Sequence, residues 1–190
     1  SIQEAGGTTR CVAEGKRLAE RLLAEASDVD RESVDVSQLI LGLECGGSDA
    51  FSGLTANPAL GIASDLLIAE GGSAIFSETM EMLGTEQVLA KRAANAEVEK
   101  RIYEIIAAAE AKAKSVGVDI RGSQPSPGNI EGGLTSIEEK SLGCIRKGGS
   151  TTIMQVVKYA EQPTEKGLVI MDGPPPEVMN NIGLGASGAQ

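Results

Sequence analysis

Three short apolar runs alternate with segments of helical periodicity along the chain. Residues 37–44 are predicted to form a buried strand, because the run is too short and too uniformly apolar for an amphipathic helix. The runs within 73–78 and 167–172 have the same character, and all three end in polar residues. Strands that alternate with helices indicate an α/β fold with a mostly parallel sheet flanked by helices. The predicted architecture therefore has three layers, Rossmann-like or flavodoxin-like.

The segments between these runs carry the helical pattern. The predicted helices are 8–26, one that begins at 57, one that begins at 85, 96–116 and one that begins at 135. Thr135 and Glu138 have the spacing of a capping box. Residues 151–160 combine a β-branched start with helical spacing, so a strand and a helix both remain open. We predict one domain over 1–172 and a proline- and glycine-rich tail over 173–190.

Composition and charge argue against several classes of function. The net charge of −10 argues against a nucleic-acid partner, since phosphates are neutralised by Lys and Arg. No apolar run is long enough to cross a membrane. The cysteines, an odd number of widely spaced thiols, favour a reducing cytoplasm. The chain contains no histidine, so it cannot complete a histidine-based metal cage or a Ser-His-Asp triad by itself.

Polar groups follow all three predicted strands. Ligands of parallel α/β sheets bind beyond the carboxyl ends of the strands, so this convergence predicts a site. Glu78 fits a general base or a metal ligand, and it equally fits a charge that favours a helix N-terminus. Cys45 could likewise be a half-buried thiol in a tight turn. The groups are Cys45, Gly46, Gly47, Ser48 and Asp49, then Ser77 and Glu78, then Asp172.

A second glycine-rich element precedes the last predicted helix before residue 151. Gly132 and Gly133 there would offer backbone N–H groups to a carboxylate or a phosphate. Lys140 fits either a partner for an anionic substrate or a residue of the solvated face. The chain has neither a GxGxxG fingerprint nor a Walker A motif, so no nucleotide cofactor is predicted.

With these residues in place, the chain resembles the altronate/galactarate dehydratase family, which includes the sulfolactate sulfo-lyase large subunit. The resemblance rests on the segments "SIQEAGGTTR", "CGGSDAFSGLTANPALG", "GGSAIFSETMEMLGTEQVLAKRA", "PSPGNIEGGLTSIEEKSLG", "KGG" and "GLVIMDGP". It implies a cytoplasmic lyase that removes water from a polyhydroxy (sugar) acid by α-proton abstraction. It also implies a divalent metal, iron(II) or else manganese(II).

The resemblance further implies roles for individual residues. Cys45 and Glu78 would lie nearest the metal or the acid–base chemistry. The expected catalytic residues are Cys45, Asp49, Glu78 and Lys140, and the expected substrate-binding residues are Gly46, Gly47, Ser48, Ser52, Asn57, Ser77, Asn129, Gly133 and Thr135.

Family members extend beyond both ends of this sequence. We therefore expect the chain to be the central domain of a larger lyase, with the remaining N- and C-terminal segments as partners, and to be nearly inactive alone. A homodimer is the default expectation. Two alternatives remain open, a sulfo-lyase that acts on sulfolactate and a non-catalytic module for carboxylate binding or subunit contact.

Overall fold

The computed structural model describes residues 2–175 and 177–190, and the chain divides into two compact units at Val34 and Asp35. The first unit is dominated by one long helix, α1 (Thr8–Ser27). Within the described part of the chain, no helix is both long enough and apolar enough to span a bilayer.

The second unit is built on one four-stranded sheet within the described residues. The strands are β1 (Ile40–Leu43), β2 (Ser73–Phe76), β3 (Ile153–Val157) and β4 (Gly167–Met171). They lie in the order β1-β2-β4-β3, and every pair is parallel. Their carboxyl ends therefore meet at one edge of the sheet.

Helices connect and cover these strands. They are α2 (Ala56–Ala69), α3 (Glu86–Ala90), α4 (Ala96–Ser115), α5 (Ile120–Ser123), α6 (Pro127–Glu131), α7 (Ile137–Cys144) and α8 (Glu177–Ala186). Short 3₁₀ helices occupy Val36–Gln38, Thr79–Met82 and Ile145–Gly148.

The alternation of side chains along the central strands divides the core in two. Ala74, Phe76 and Ile170 face a large cluster that also contains the apolar residues of α4 and α7. Ile75 and Val169 face the opposite side, where Leu184 of α8 packs. Residues two apart share a face of a strand, so the sheet is buried on both sides. The predicted three-layer α/β fold is confirmed.

The structure settles one segment that remained open and differs from the predictions elsewhere. The strand predicted over 37–44 covers only Ile40–Leu43, because Val36–Gln38 forms a 3₁₀ helix. Residues 153–157 form strand β3, which settles the segment that remained open. The predicted tail instead contains α8, whose Leu184 and Asn180 are buried, because these side chains have the sheet to pack against. The helix predicted from Thr135 is capped one residue later, where the Ser136 hydroxyl accepts the N–H of Glu139.

Candidate active site at the carboxyl edge of the sheet

The polar residues that follow β2 and β4 contact each other directly. The Thr79 hydroxyl donates to Asp172 Oδ1 (2.9 Å) and accepts the N–H of Gly173 (2.9 Å). The Ser77 hydroxyl donates to Asn180 Oδ1 (2.5 Å), which ties α8 to the end of β2. The expected convergence of the strand ends is therefore present in the folded chain.

Gly173 is needed for this close approach. A Cβ at Gly173 would lie 1.9 Å from Asn180 Oδ1 and 2.2 Å from Ser77 Oγ. No side chain fits there, so the chain can turn over the sheet edge only with a glycine at this position.

Glu78 lies at the centre of this edge in an unusual conformation. Its backbone is left-handed, with φ 76° and ψ 56°, which is uncommon for a residue with a Cβ. The residue is 3% exposed. Strained backbone of this kind costs on the order of 1–3 kcal/mol and concentrates at functional sites. The turn points the carboxylate back toward the end of β1, where Oε1 accepts the N–H of Cys45 at 3.1 Å.

The other carboxylate oxygen of Glu78 binds two donors from one short segment. Lys147 Nζ lies 2.5 Å from Oε2, and Cys144 Sγ lies 3.6 Å from the same atom. Cys144 and Lys147 are three residues apart in the segment where α7 passes into a 3₁₀ helix. Residues three apart lie on the same side of a 3₁₀ helix, so both side chains face Glu78.

The glycines after Lys147 hold this segment against α2. Gly149 has φ 62°, and a Cβ there would lie 2.1 Å from Asp65 Oδ1. The Asp65 carboxylate accepts the N–H and the hydroxyl of Ser150 at 2.8–3.0 Å. The "KGG" motif is thus explained by a buried lysine followed by a turn that only glycine fits.

The environment fixes the charge state of the groups around Glu78. Burial and the Glu78 carboxylate raise the pKa of the Cys45 thiol, and burial raises the pKa of Cys144 well above its usual value. Burial alone would lower the pKa of Lys147, but the adjacent Glu78 carboxylate raises it. Both thiols are therefore protonated at neutral pH, and Lys147 is charged.

A cleft of about 1050 Å³ opens beside Glu78. Most of its charged lining residues are acidic, namely Glu44, Glu78, Glu81 and Asp172. Lys112 and Lys140 supply positive charge, and the second half of α4 supplies an apolar wall. A cleft of this volume accommodates a small molecule with several hydroxyl groups.

Glu81 and Lys140 form a second ion pair in this cleft. Lys140 Nζ lies 3.0 Å from Glu81 Oε1 and 3.0 Å from the amide oxygen of Gln124. Glu81 Oε2 is buried and has no hydrogen-bond partner among the described residues. Burial raises the pKa of Glu81, and the Lys140 ammonium opposes this shift. Glu81 therefore holds a proton more readily than an ordinary glutamate.

Four of the other predicted site residues line a second cleft, of about 450 Å³, and Lys140 lines both clefts. Ser48, Asp49, Ser52 and Asn57 line this second cleft. Asp49 and Ser52 hydrogen-bond each other within one turn.

Several of the predicted binding groups are engaged within the protein. Asn57 Nδ2 donates to the carbonyl of Gly143, and Asn129 Nδ2 donates to the carbonyl of Ser48. The Thr135 hydroxyl donates to Glu139. These bonds hold the two glycine-rich loops together, and the roles of these residues toward substrate stay predictions.

The glycines of the two loops are exposed. A Cβ on Gly46 or Gly47 would meet no described atom within 4 Å. Gly133 has φ 93° and lies against Ala50. The two loops leave open space above the sheet edge where a ligand can approach the backbone.

The groups that contact the Glu78 carboxylate are not arranged to bind a divalent metal ion. Both carboxylate oxygens already accept donors, and a lysine ammonium stands where a cation would bind. Among residues 2–175 and 177–190, no three His, Cys, Asp or Glu side chains are grouped to hold a metal ion. The metal expected from the sequence stays a prediction, with Glu78 poorly suited as its ligand.

Lys147, Cys144, Glu81 and Glu44 are site residues that sequence reasoning missed. Lys147 follows an ordinary surface-like pattern, and Cys144 is one of three widely spaced thiols. The only sequence signal for Lys147 was the "KGG" segment itself. For Glu81, the signal was its spacing of three residues from Glu78.

The chain has a parallel α/β sheet, buried charged groups and a cleft at the carboxyl ends of its strands. Enzymes and ligand-binding domains of the α/β class have their sites at this edge of the sheet. Comparison with known proteins then identifies the family. Residues 36–190 match the family model described as D-galactarate/altronate dehydratase, C-terminal. The chain belongs to this family.

Known relatives are identical to the chain at about two fifths of the aligned positions. Altronate dehydratase of Bacillus subtilis is 42% identical over 177 residues, which is 93% of this chain and 35% of the relative. Galactarate dehydratase (L-threo-forming) of Escherichia coli is 43% identical over 153 residues, 80% of this chain and 29% of the relative. The (2R)-sulfolactate sulfo-lyase subunit beta of Chromohalobacter salexigens is 41% identical over 171 residues, 89% of this chain and 44% of the relative. The chain thus spans from about a third to less than half of their lengths.

Proposed function

We propose that the chain provides a catalytic domain of a hydro-lyase that removes water from a polyhydroxy carboxylic acid. The observation that carries the proposal is the buried Glu78, held in a strained turn at the edge of a cleft where three strand ends meet. The names of the relatives support the substrate class, since two of them act on altronate or galactarate.

The reaction needs a base and an acid. Loss of water from an α,β-dihydroxy acid takes the proton from the carbon next to the carboxylate and the hydroxyl from the following carbon. The enol that remains becomes an α-keto acid. Glu78 is our candidate base, because Lys147 and two further donors hold its carboxylate in place beside the cleft.

Glu81 is our candidate acid. Burial raises its pKa, and one of its oxygens is unpaired in the described structure. Two carboxyl groups with different environments can divide the base and acid roles between them. Lys140, which bonds Glu81, would hold this group toward the leaving hydroxyl.

The acidic lining of the cleft fits the hydroxyl groups of a sugar acid. Carboxylates such as Glu44 and Asp172 accept hydrogen bonds from hydroxyls. The substrate carboxylate would lie toward Lys112 or Lys140, because the other walls repel it. Iron(II) or manganese(II), a cytoplasmic location and a homodimer remain predictions, and no step here depends on them.

The test is a chimera in which this chain replaces the matched 177-residue segment of the Bacillus subtilis altronate dehydratase. We expect it to form an α-keto acid from altronate, and Glu78→Gln to lower kcat at least 100-fold. Lys91→Gln, an exposed charge change away from the cleft, is the control. A Glu78→Gln chimera with unaltered turnover would contradict the assignment of the base.

The same assay tests the alternatives. Galactarate and sulfolactate are offered in parallel, with α-keto acid and sulfite as the measured products. Release of sulfite alone would assign the chain to the sulfo-lyase branch, which its 41% identity to that subunit makes a real candidate. Binding of these acids to the 190-residue chain without product in any chimera would favour a carboxylate-binding module. The expected low turnover of the 190 residues alone is measured alongside.

A further inference from the structure

The positive charge that pairs with the Glu78 carboxylate in this structure is the ammonium group of a lysine. Lys147 Nζ binds Oε2 at 2.5 Å, and the two side chains are only 1% and 2% exposed. Cys144 reaches the same oxygen, and the N–H of Cys45 occupies the other one. Three elements of the fold thus surround one carboxylate with donors.

Lys147 has little freedom to leave this position. Its Nζ lies 5.8 Å from the centre of the Phe76 ring, an arrangement that stabilises an ammonium group. Its backbone belongs to the 3₁₀ helix Ile145–Gly148, whose carbonyl at Arg146 packs closely on Gly61 of α2. A divalent ion at Glu78 would have to displace a buried ammonium that has no other acceptor within reach among the described residues.

Lys147 stands behind Glu78 and does not line the cleft, whereas Glu78 does. We propose that Lys147 is a positioning residue that fixes the carboxylate of Glu78 toward the cleft, and that any divalent metal used by this protein is bound by groups other than Glu78. The link to catalysis rests on the proposed function. The ion pair between Lys147 and Glu78, and the inference that Glu78 is not a metal ligand, do not depend on the proposed function.

The first experiment measures metal. The purified chain and its Glu78→Gln variant are incubated with iron(II) or manganese(II) without oxygen, desalted and analysed for bound metal. We expect the variant to retain the same amount as the unsubstituted chain. A folded Glu78→Gln variant that loses metal bound by the parent would overturn the proposal.

The second experiment measures the ion pair by urea unfolding. Lys147→Met should lower the unfolding midpoint far more than Lys91→Met, an exposed lysine of the same unit. The Glu78→Gln/Lys147→Met double variant should recover at least half of the loss, because it removes both buried charges. If Lys147→Met does not fold, the folding of the double variant is the test of the ion pair. A folded double variant supports the pair, and a double variant that also fails to fold contradicts it.

The third experiment reads the position of the carboxylate. The amide proton of Cys45 donates to Glu78, so its NMR resonance reports where that oxygen lies. We expect the resonance to move in Lys147→Met and to stay near its original position in Lys147→Arg. A resonance unaffected by Lys147→Met would show that the lysine does not position Glu78. None of these readouts uses sugar-acid turnover, so an inactive protein would defeat the proposed function and leave this result standing.

Discussion

Replacing Gly61 with alanine should destabilise the protein, although the change removes a glycine from the interior of α2. An ideal Cβ at Gly61 would lie 2.2 Å from the carbonyl oxygen of Arg146 and 3.2 Å from backbone atoms of Gly149. Non-bonded atoms pack at about 3.5 Å, so α2 and the 3₁₀ helix would have to separate by about 1 Å.

Two opposing effects decide the size of the change. Alanine favours a helix interior over glycine by about 1 kcal/mol. Forcing extra volume into a packed contact costs about 1–3 kcal/mol, and here the obstacle is backbone that cannot rotate away. We therefore expect a net loss of up to about 2 kcal/mol in the free energy of unfolding.

The matched control is Gly185→Ala in α8, where a Cβ would meet no described atom within 4 Å. This variant should gain up to about 1 kcal/mol, since only the helix preference acts. Urea unfolding followed by circular dichroism gives both values from the midpoint and slope. A Gly61→Ala protein that is as stable as Gly185→Ala would refute the close contact between α2 and the Lys147 segment.

Three further predictions concern the supports of the site. Asp65→Ala should lower the free energy of unfolding by about 1.5–3 kcal/mol, because Ser150 loses a charged acceptor, and thermal unfolding measures it. Asn180→Ala should speed hydrogen exchange in α8, because it leaves the buried Ser77 hydroxyl without its acceptor; unchanged exchange would contradict this role. Burial raises the pKa of Glu81 above 4.5, so its contribution to stability is complete below that pH and lost as pH rises through the folded pKa. Glu81→Gln should remove this loss, and urea midpoints measured from pH 4 to pH 8 should then fall less steeply than in the parent.

The strands that face two cores could be predicted from sequence because their pattern is simple. Residues 74–76 and 168–171 are apolar without interruption and almost fully buried, as expected for central parallel strands. Strand β3 was ambiguous because it lies at the edge of the sheet, where its middle residues are half-buried. Only its pairing with β4 selects the extended form.

The candidate site could be predicted only in part. The rule that ligands bind at the carboxyl ends of strands located Glu78, Ser77 and Cys45 correctly at one edge. It could not locate Lys147, because the buried ion pair depends on a 3₁₀ helix that joins residues 69 positions apart. Helix α8 was missed for a similar reason: small residues give no core pattern until the sheet offers a surface to pack on.

The order of the strands has a consequence for how the site comes into being. The central pair, β2 and β4, joins positions 94 residues apart in the chain, whereas β3 and β4 are close neighbours in sequence. Pairing of distant segments requires the closure of a long loop and is a slow step of folding. Thr79 and Asp172 follow these two strands, so the cleft exists only after the last long-range pairing is made. A nascent chain that ends before β4 would contain Glu78 and the helices that precede β4. It would lack the strand that pairs with β2 and brings Asp172 to the edge of the sheet.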